Sequence, residues 1–92
     1  AWYNKGVALR KLGNLVAAIA CFDKTIELDP NDFWAWYNRG LVLAQNGKKE
    51  AAIASYQHAL TIQPRDIGVW YDCGLALYEL CRYQEAIAIY TK

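Results

Sequence analysis

The chain has 92 residues, of which 55% are hydrophobic and 21% are charged. This length suits a single domain, and the composition is too apolar for disorder yet too interrupted by charge for a membrane span. Ten basic and nine acidic residues give a formal net charge of +1, which excludes the strong positive field of a general nucleic-acid binder. We therefore expect a globular protein that binds neither nucleic acid nor membranes.

The cysteines and the absence of targeting motifs indicate where such a protein would reside. Cys21, Cys73 and Cys81 show no CxxC spacing and stand among core-type residues, so we expect reduced, partly buried thiols in a reducing compartment. No signal peptide, lipidation motif or apolar run of transmembrane length is found, and we predict a cytoplasmic location. The chain holds no methionine and begins and ends inside the repeats described next, so we expect it to be part of a longer array.

The sequence repeats with a period of 34 residues. A shift of that length places Ala1–Asn4 on Ala35–Asn38 and Pro30 on Pro64. Thirteen of the 34 aligned pairs are identical, whereas average amino-acid usage would give roughly two. A second shift aligns the last third of the chain in the same way. The sequence thus predicts one array, 1–92, of about two and two-thirds repeats, with the divisions 1–32, 33–66 and 67–92.

Each repeat carries two helical patterns. Trp2, Gly6 and Leu9 recur at i, i+4 and i+7, and the same spacing relates Ala18, Phe22 and Thr25. This spacing is typical of short amphipathic helices. No strand is predicted, and we expect helices at about 1–12, 16–29, 33–46, 50–62, 67–80 and 84–92.

The turn inside each repeat is marked by a glycine in the first two repeats. Gly13 and Gly47 permit the left-handed conformation that commonly closes a helix. The third repeat has Cys81 at this position, where a positive φ would be strained, so the turn is expected either to differ or to carry a small energetic penalty.

The break between repeats is also written in the sequence. Pro30 and Pro64 stop the preceding helices because a proline ring cannot continue them. Asp32 and Asp66 follow and suit the N-cap position of the next helix.

These residues resemble the tetratricopeptide repeat, whose 34-residue pattern contains Trp, Leu-Gly, Tyr, Ala, Phe and Pro. The resemblance covers essentially the whole chain and implies an all-α fold, a right-handed α-solenoid of antiparallel helix pairs. Glycines and alanines let the paired helices approach, and aromatic rings fill the space between them, so these positions are core and not site. The departures from the pattern are Lys5, Arg39 and Cys73 in the usual Leu position, and Leu9, Leu43 and Leu77 in the usual Tyr position.

The resemblance also implies that the first helices of successive repeats line a concave groove, which accepts an extended or helical segment of a partner protein. Tyr37, Asn38 and Tyr71 are the leading candidates, because tyrosine buries area at low entropic cost and asparagine can pair with a peptide backbone. Alternatively, the tyrosines pack between adjacent helices and the charged residues are only solvated surface. The full candidate set is Tyr3, Asn4, Val7, Arg10, Lys11, Trp34, Tyr37, Asn38, Leu41, Ala44, Gln45, Tyr71, Asp72, Leu75, Tyr78 and Glu79.

One ligand class of the family is disfavoured. Some members clamp the C-terminal carboxylate of a chaperone tail with Lys, Asn and Arg side chains, and of these positions only Asn38 fits here. Tyr3 and Val7 occupy the first-repeat positions, and Gly68 and Asp72 stand where cations would be, so a negative tail would meet repulsion.

Catalysis is not expected from this chain. His58 is the one histidine and is interpreted as a surface residue, and no cofactor or metal motif is found. We therefore predict a protein–protein interaction scaffold. The alternatives are self-association through uncapped ends and a recognition arm of a larger multidomain protein; repeat-coded RNA binding would need basic groove positions, which only Arg10 and Lys11 provide.

Overall fold

A computed structural model describes residues 2–90, and within this range the chain forms six α-helices and no strand. They are α1 (Trp2–Lys11), α2 (Leu15–Leu28), α3 (Phe33–Gln45), α4 (Lys49–Ile62), α5 (Ile67–Glu79) and α6 (Tyr83–Tyr90). Each end agrees with the sequence prediction within one residue, apart from the predicted ends at positions 1 and 92, which lie outside the described residues. Successive helices pack on one another, as the predicted all-α solenoid requires.

The turn inside each repeat has the same backbone geometry in all three repeats. The second residue after the first helix adopts a positive φ, which is 83° at Gly13, 79° at Gly47 and 61° at Cys81. In each turn the next backbone N–H, that of Arg82 in the third repeat, donates to a carbonyl five residues earlier, here that of Leu77. This is the Schellman arrangement. The third turn therefore has the same geometry as the other two, and Cys81 bears the energetic cost of the left-handed conformation.

Replacing Cys81 by glycine should raise the free energy of unfolding by about 0.5–1 kcal/mol, because the left-handed conformation costs a residue with a Cβ about 1–2 kcal/mol, and the greater freedom of glycine in the unfolded chain offsets part of that gain. Thermal unfolding should show a melting temperature higher by about 3–6 °C. Cys81→Ala is the matched control, since it removes the sulfur and keeps the Cβ. An equal rise in this control would contradict strain as the cause.

The break between repeats is fixed by capping. The side chains of Asp32 and Asp66 accept hydrogen bonds from the backbone N–H of Ala35 (3.2 Å) and Val69 (3.1 Å), which confirms both predicted N-caps. Two tryptophans add a second hydrogen bond across each break, which the sequence periodicity did not indicate. The indole Nε1 of Trp36 donates to the carbonyl of Pro30 at 2.8 Å, and that of Trp70 donates to the carbonyl of Pro64 at 2.6 Å.

The two helices of a repeat meet at a glycine that faces an aromatic ring. A Cβ on Gly6 would lie 2.8 Å from Cε1 of Phe22, and a Cβ on Gly40 would lie 2.5 Å from Cε1 of Tyr56. Both rings are almost fully buried. The predicted core positions Gly6, Phe22, Gly40 and Tyr56 are thus confirmed, and glycine is required where the backbone of one helix contacts the ring of the next. Trp2, also predicted as core, is 43% exposed.

The three cysteines are free thiols in two environments. Cys21 and Cys73 are buried, whereas Cys81 is exposed at its turn. Burial raises the pKa of Cys73 to about 11, partly opposed by the positive charge of Arg82. The Cys73 thiol therefore stays protonated at neutral pH and behaves as a small apolar side chain.

Candidate functional site

The candidate surface lies on the first helices of the three repeats, α1, α3 and α5. Within residues 2–90, α1 contacts α3 directly, whereas neither α2 and α4 nor α3 and α5 come comparably close. We call the face formed by equivalent positions of these three helices the inner surface; its members are Tyr3, Val7 and Arg10 of α1, Trp34, Tyr37, Leu41 and Ala44 of α3, and Tyr71, Leu75 and Tyr78 of α5.

A repeated hydrogen bond joins neighbouring first helices. The side-chain amide nitrogen of Asn38 donates to the hydroxyl of Tyr3 at 3.1 Å and to the carbonyl of Trp34 at 2.9 Å. One repeat further, the hydroxyl of Tyr37 donates to Oδ2 of Asp72 at 2.5 Å. The tyrosines are equivalent positions, 34 residues apart, and so are Asn38 and Asp72. These contacts connect the repeats to each other.

The polar groups of this region influence one another electrostatically. Burial is the largest cause that raises the pKa of Tyr3 and of Tyr37 above the ordinary value, and the bond to Asp72 raises that of Tyr37 further. The positive charge of Arg10 acts in the opposite direction on both hydroxyls.

The exposed part of the inner surface is mainly aromatic. Trp34 is 53% exposed, Tyr71 59% and Tyr78 56%, and Leu75 is exposed beside them. The ring of Trp34 packs against that of Phe33, with centroids 5.1 Å apart, so it stands on a buried support. Rigid rings with one polar edge suit contact with a polypeptide.

The remaining candidates divide into exposed and half-buried positions. Asn4, Lys11, Gln45 and Glu79 are exposed, whereas Asp72 is half-buried at its bond to Tyr37. Val7, Leu41 and Ala44 are partly buried against the core. Asn38 is only 6% exposed, and its amide nitrogen is occupied by the two bonds described above. The use of any of these residues in binding stays a prediction.

Sequence reasoning missed the part played by Arg39. Its Nε donates to Oδ1 of Asp23 and a terminal nitrogen donates to Oγ of Ser55, both at 2.6 Å, and the guanidinium lies 5.9 Å from the Trp36 ring. One side chain thus links α2, α3 and α4. A basic residue in a position where the family has leucine was the available signal. His58 is exposed, as expected, and stacks on Trp36 with centroids 3.8 Å apart.

Residues 2–90 contain neither a cluster of metal-binding side chains nor a helix that could span a membrane. No group of three or more His, Cys, Asp or Glu side chains there could hold a metal ion. None of the helices in that range combines the length and apolarity needed to cross a bilayer.

Comparison with known proteins identifies the array. Models of the tetratricopeptide repeat match residues 1–32, 21–54 and 42–80, and together they cover most of the chain. No curated protein sequence matches it.

Solved structures of MamA have a similar fold. One crystal structure of MamA is 28% identical with a TM-score of 0.95, and the match covers 98% of this chain and 53% of that one. The MamA RS-1 ArsTM double mutant is 31% identical with a TM-score of 0.89, covering 96% of this chain and 49% of that one. The chain therefore spans about half the length of the MamA chains that it matches. The repeat models, the helix order and the structural matches agree, and the chain belongs to the tetratricopeptide repeat family.

Proposed function

We propose that the inner surface binds an extended or helical segment of another polypeptide. A tetratricopeptide array is a scaffold for protein–protein interaction, and we assign the contact with the partner polypeptide to one face of the array. The observation that carries the proposal is the exposure of Trp34, Tyr71 and Tyr78 on the first helices. Large aromatic side chains left uncovered on one face commonly mark a surface that a partner covers.

The chemistry of these residues favours a polypeptide over a small apolar ligand. Their rings offer flat apolar area, while the tyrosine hydroxyls and the indole nitrogen can hydrogen-bond to a peptide backbone. Their surroundings are open and elongated, since equivalent positions recur on three successive helices. A ligand that crosses several helices therefore makes the most contacts, and an extended or helical segment has that shape.

The double variant Trp34→Ala, Tyr71→Ala should bind peptides at least about tenfold more weakly than the wild type, because aromatic side chains at the centre of an interface contribute most of its energy. The probe is a peptide selected on the wild-type chain from a random display library, and its dissociation constant is measured by fluorescence anisotropy.

The matched control is Val16→Ala, Leu28→Ala, which removes two exposed apolar side chains, 72% and 67% exposed, from α2 on the outer side. This control should bind as the wild type does. Equal weakening in both double variants, or weakening in the control alone, would contradict the proposed surface.

Self-association is the second candidate function, and the inter-repeat bonds support it. Tyr71 occupies the position of Tyr3 and Tyr37, and Asn4 occupies the position of their partners Asn38 and Asp72; both Tyr71 and Asn4 are exposed. The last repeat of one copy could therefore pair with the first repeat of another in the same register. Sedimentation at several concentrations separates the two functions, since a chain that stays monomeric would exclude end-to-end stacking.

A further inference from the structure

Besides Trp34, the inner surface has three rows of positions that are filled from all three first helices, and only one of these rows changes its chemistry from repeat to repeat. The first row is tyrosine in all three repeats and the second is aliphatic in all three. The third row contains a cation, a small side chain and an aromatic ring. In chain order the rows are Tyr3, Tyr37 and Tyr71; Val7, Leu41 and Leu75; and Arg10, Ala44 and Tyr78. Discrimination between ligands therefore depends most on the third row.

Arg10 is the unsatisfied member of that row. Arg10 is partly buried. Its Nε is covered by neighbouring atoms and has no hydrogen-bond partner. Arg39 and Arg82, by contrast, are held by Asp23 and Glu85, each at 2.6 Å. No carboxylate among residues 2–90 forms an ion pair with Arg10.

An unpaired guanidinium in such a place favours an anionic ligand. Arg10 has no carboxylate partner within residues 2–90, and a ligand carboxylate can accept two parallel bonds from the two terminal nitrogens of its guanidinium.

We propose that Arg10 binds the side-chain carboxylate of an aspartate or glutamate in the segment that lies on the inner surface, while apolar residues of that segment contact Leu75 and Tyr78. This inference rests on the proposed function and names the chemistry of the partner: an acidic residue at the α1 end and apolar residues at the α5 end.

A side-chain carboxylate fits this place better than the end of a chain. Only one guanidinium is available, and the negative charges of Asp32 and Asp72 act on the adjacent Tyr3 and Tyr37. A carboxylate on a flexible side chain can reach Arg10 and keep its distance from both carboxylates. A chain terminus held by several donors would need cations that are absent from these positions of the inner surface.

The test compares peptides selected from a random display library on the wild type and on Arg10→Gln. Peptides from the wild type should carry Asp or Glu at one fixed position, and those from Arg10→Gln should not. For a selected peptide, Glu→Gln at that position should weaken binding about tenfold on the wild type and less than about twofold on Arg10→Gln, as expected for a directly paired charge.

Two further variants sharpen the comparison. Arg65→Gln removes the same charge from an exposed loop outside the inner surface and should retain the acidic preference. Arg10→Glu should instead select Lys or Arg at the fixed position. The melting temperature of Arg10→Gln should equal or exceed that of the wild type, because no pairing within the chain is lost, so weaker binding cannot be ascribed to unfolding.

The outcomes distinguish a failure of the role of Arg10 from a failure of the proposed function. Selected peptides without an acidic position, whose binding still depends on Trp34 and Tyr71, would overturn the role of Arg10 and leave the proposed function standing. Loss of binding on amidation of the peptide's C-terminus, with no effect of Glu→Gln, would overturn it in favour of a terminal carboxylate. A wild type that enriches no peptide would overturn both proposals.

Discussion

Replacing Gly40 by alanine should lower the free energy of unfolding by about 1–2 kcal/mol, because an overpacking cost of about 2–3 kcal/mol exceeds the gain of roughly 1 kcal/mol in helix propensity. The added Cβ would lie 2.5 Å from Cε1 and 2.6 Å from Cδ1 of Tyr56. That ring is only 2% exposed and is held in the main core cluster, so it cannot move aside at low cost. Either the ring leaves its rotamer or α3 moves away from α4.

Chemical denaturation or thermal unfolding measures this effect, and Gly68→Ala is the control. Gly68 lies in α5, is exposed, and a Cβ there would meet only the ends of two side chains, Oδ1 of Asp66 at 3.2 Å and the hydroxyl of Tyr37 at 3.4 Å. This variant should stay within about 0.5 kcal/mol of the wild type. If Gly40→Ala proved as stable as Gly68→Ala, the close approach of the two helices would be refuted.

Replacing Asn38 by alanine should cost about 2 kcal/mol, because two hydrogen bonds are lost in a buried place and their acceptors are left without this donor. The side-chain amide of Asn38 donates one hydrogen bond to the carbonyl of Trp34 within α3 and another to the hydroxyl of Tyr3 in α1. The substitution therefore weakens both the helix turn and the contact between repeats. Denaturant unfolding of Asn38→Ala, Tyr3→Phe and the double variant should give a non-additive cycle, since the two side chains bond to each other.

Asn4→Ala is the matched control for this prediction. Asn4 is the same residue type at the same position of the preceding repeat, but it is exposed. Its removal should change the free energy of unfolding by less than about 0.5 kcal/mol. Equal effects at positions 4 and 38 would show that the contact between repeats does not stabilise the array. Removal of Trp34 and Tyr71, as in the binding test, should disturb the fold less than removal of Asn38, because both side chains are largely exposed.

The fold could be predicted from the sequence because its determinants are local. The prolines after the second helices, the capping aspartates and the glycines in the turns act on the residues next to them, and the 34-residue period repeats each signal. Cys81 shows how far this determination extends. The turn keeps its left-handed geometry without glycine, because the flanking helices in the repeat require it there.

The candidate surface was predictable as a face and not as individual residues. Equivalent positions share a helix face, so the sequence indicates which side chains can lie on the inner surface. It does not indicate which of them another repeat covers. Asn4 and Asn38 have the same place in their repeats, yet one is exposed and the other bonds Tyr3 of the neighbouring helix.

The sequence by itself thus determined the helices, their turns and the period that stacks them, since all of these follow from contacts between residues close in the chain. Only the tertiary structure decided that Tyr37 bonds Asp72, that Arg39 bridges three helices and that Arg10 has no carboxylate partner. Each of these depends on which side chains from different helices come within hydrogen-bond distance. That distance is set by the packing of one repeat on the next and is not expressed in the periodicity of the sequence.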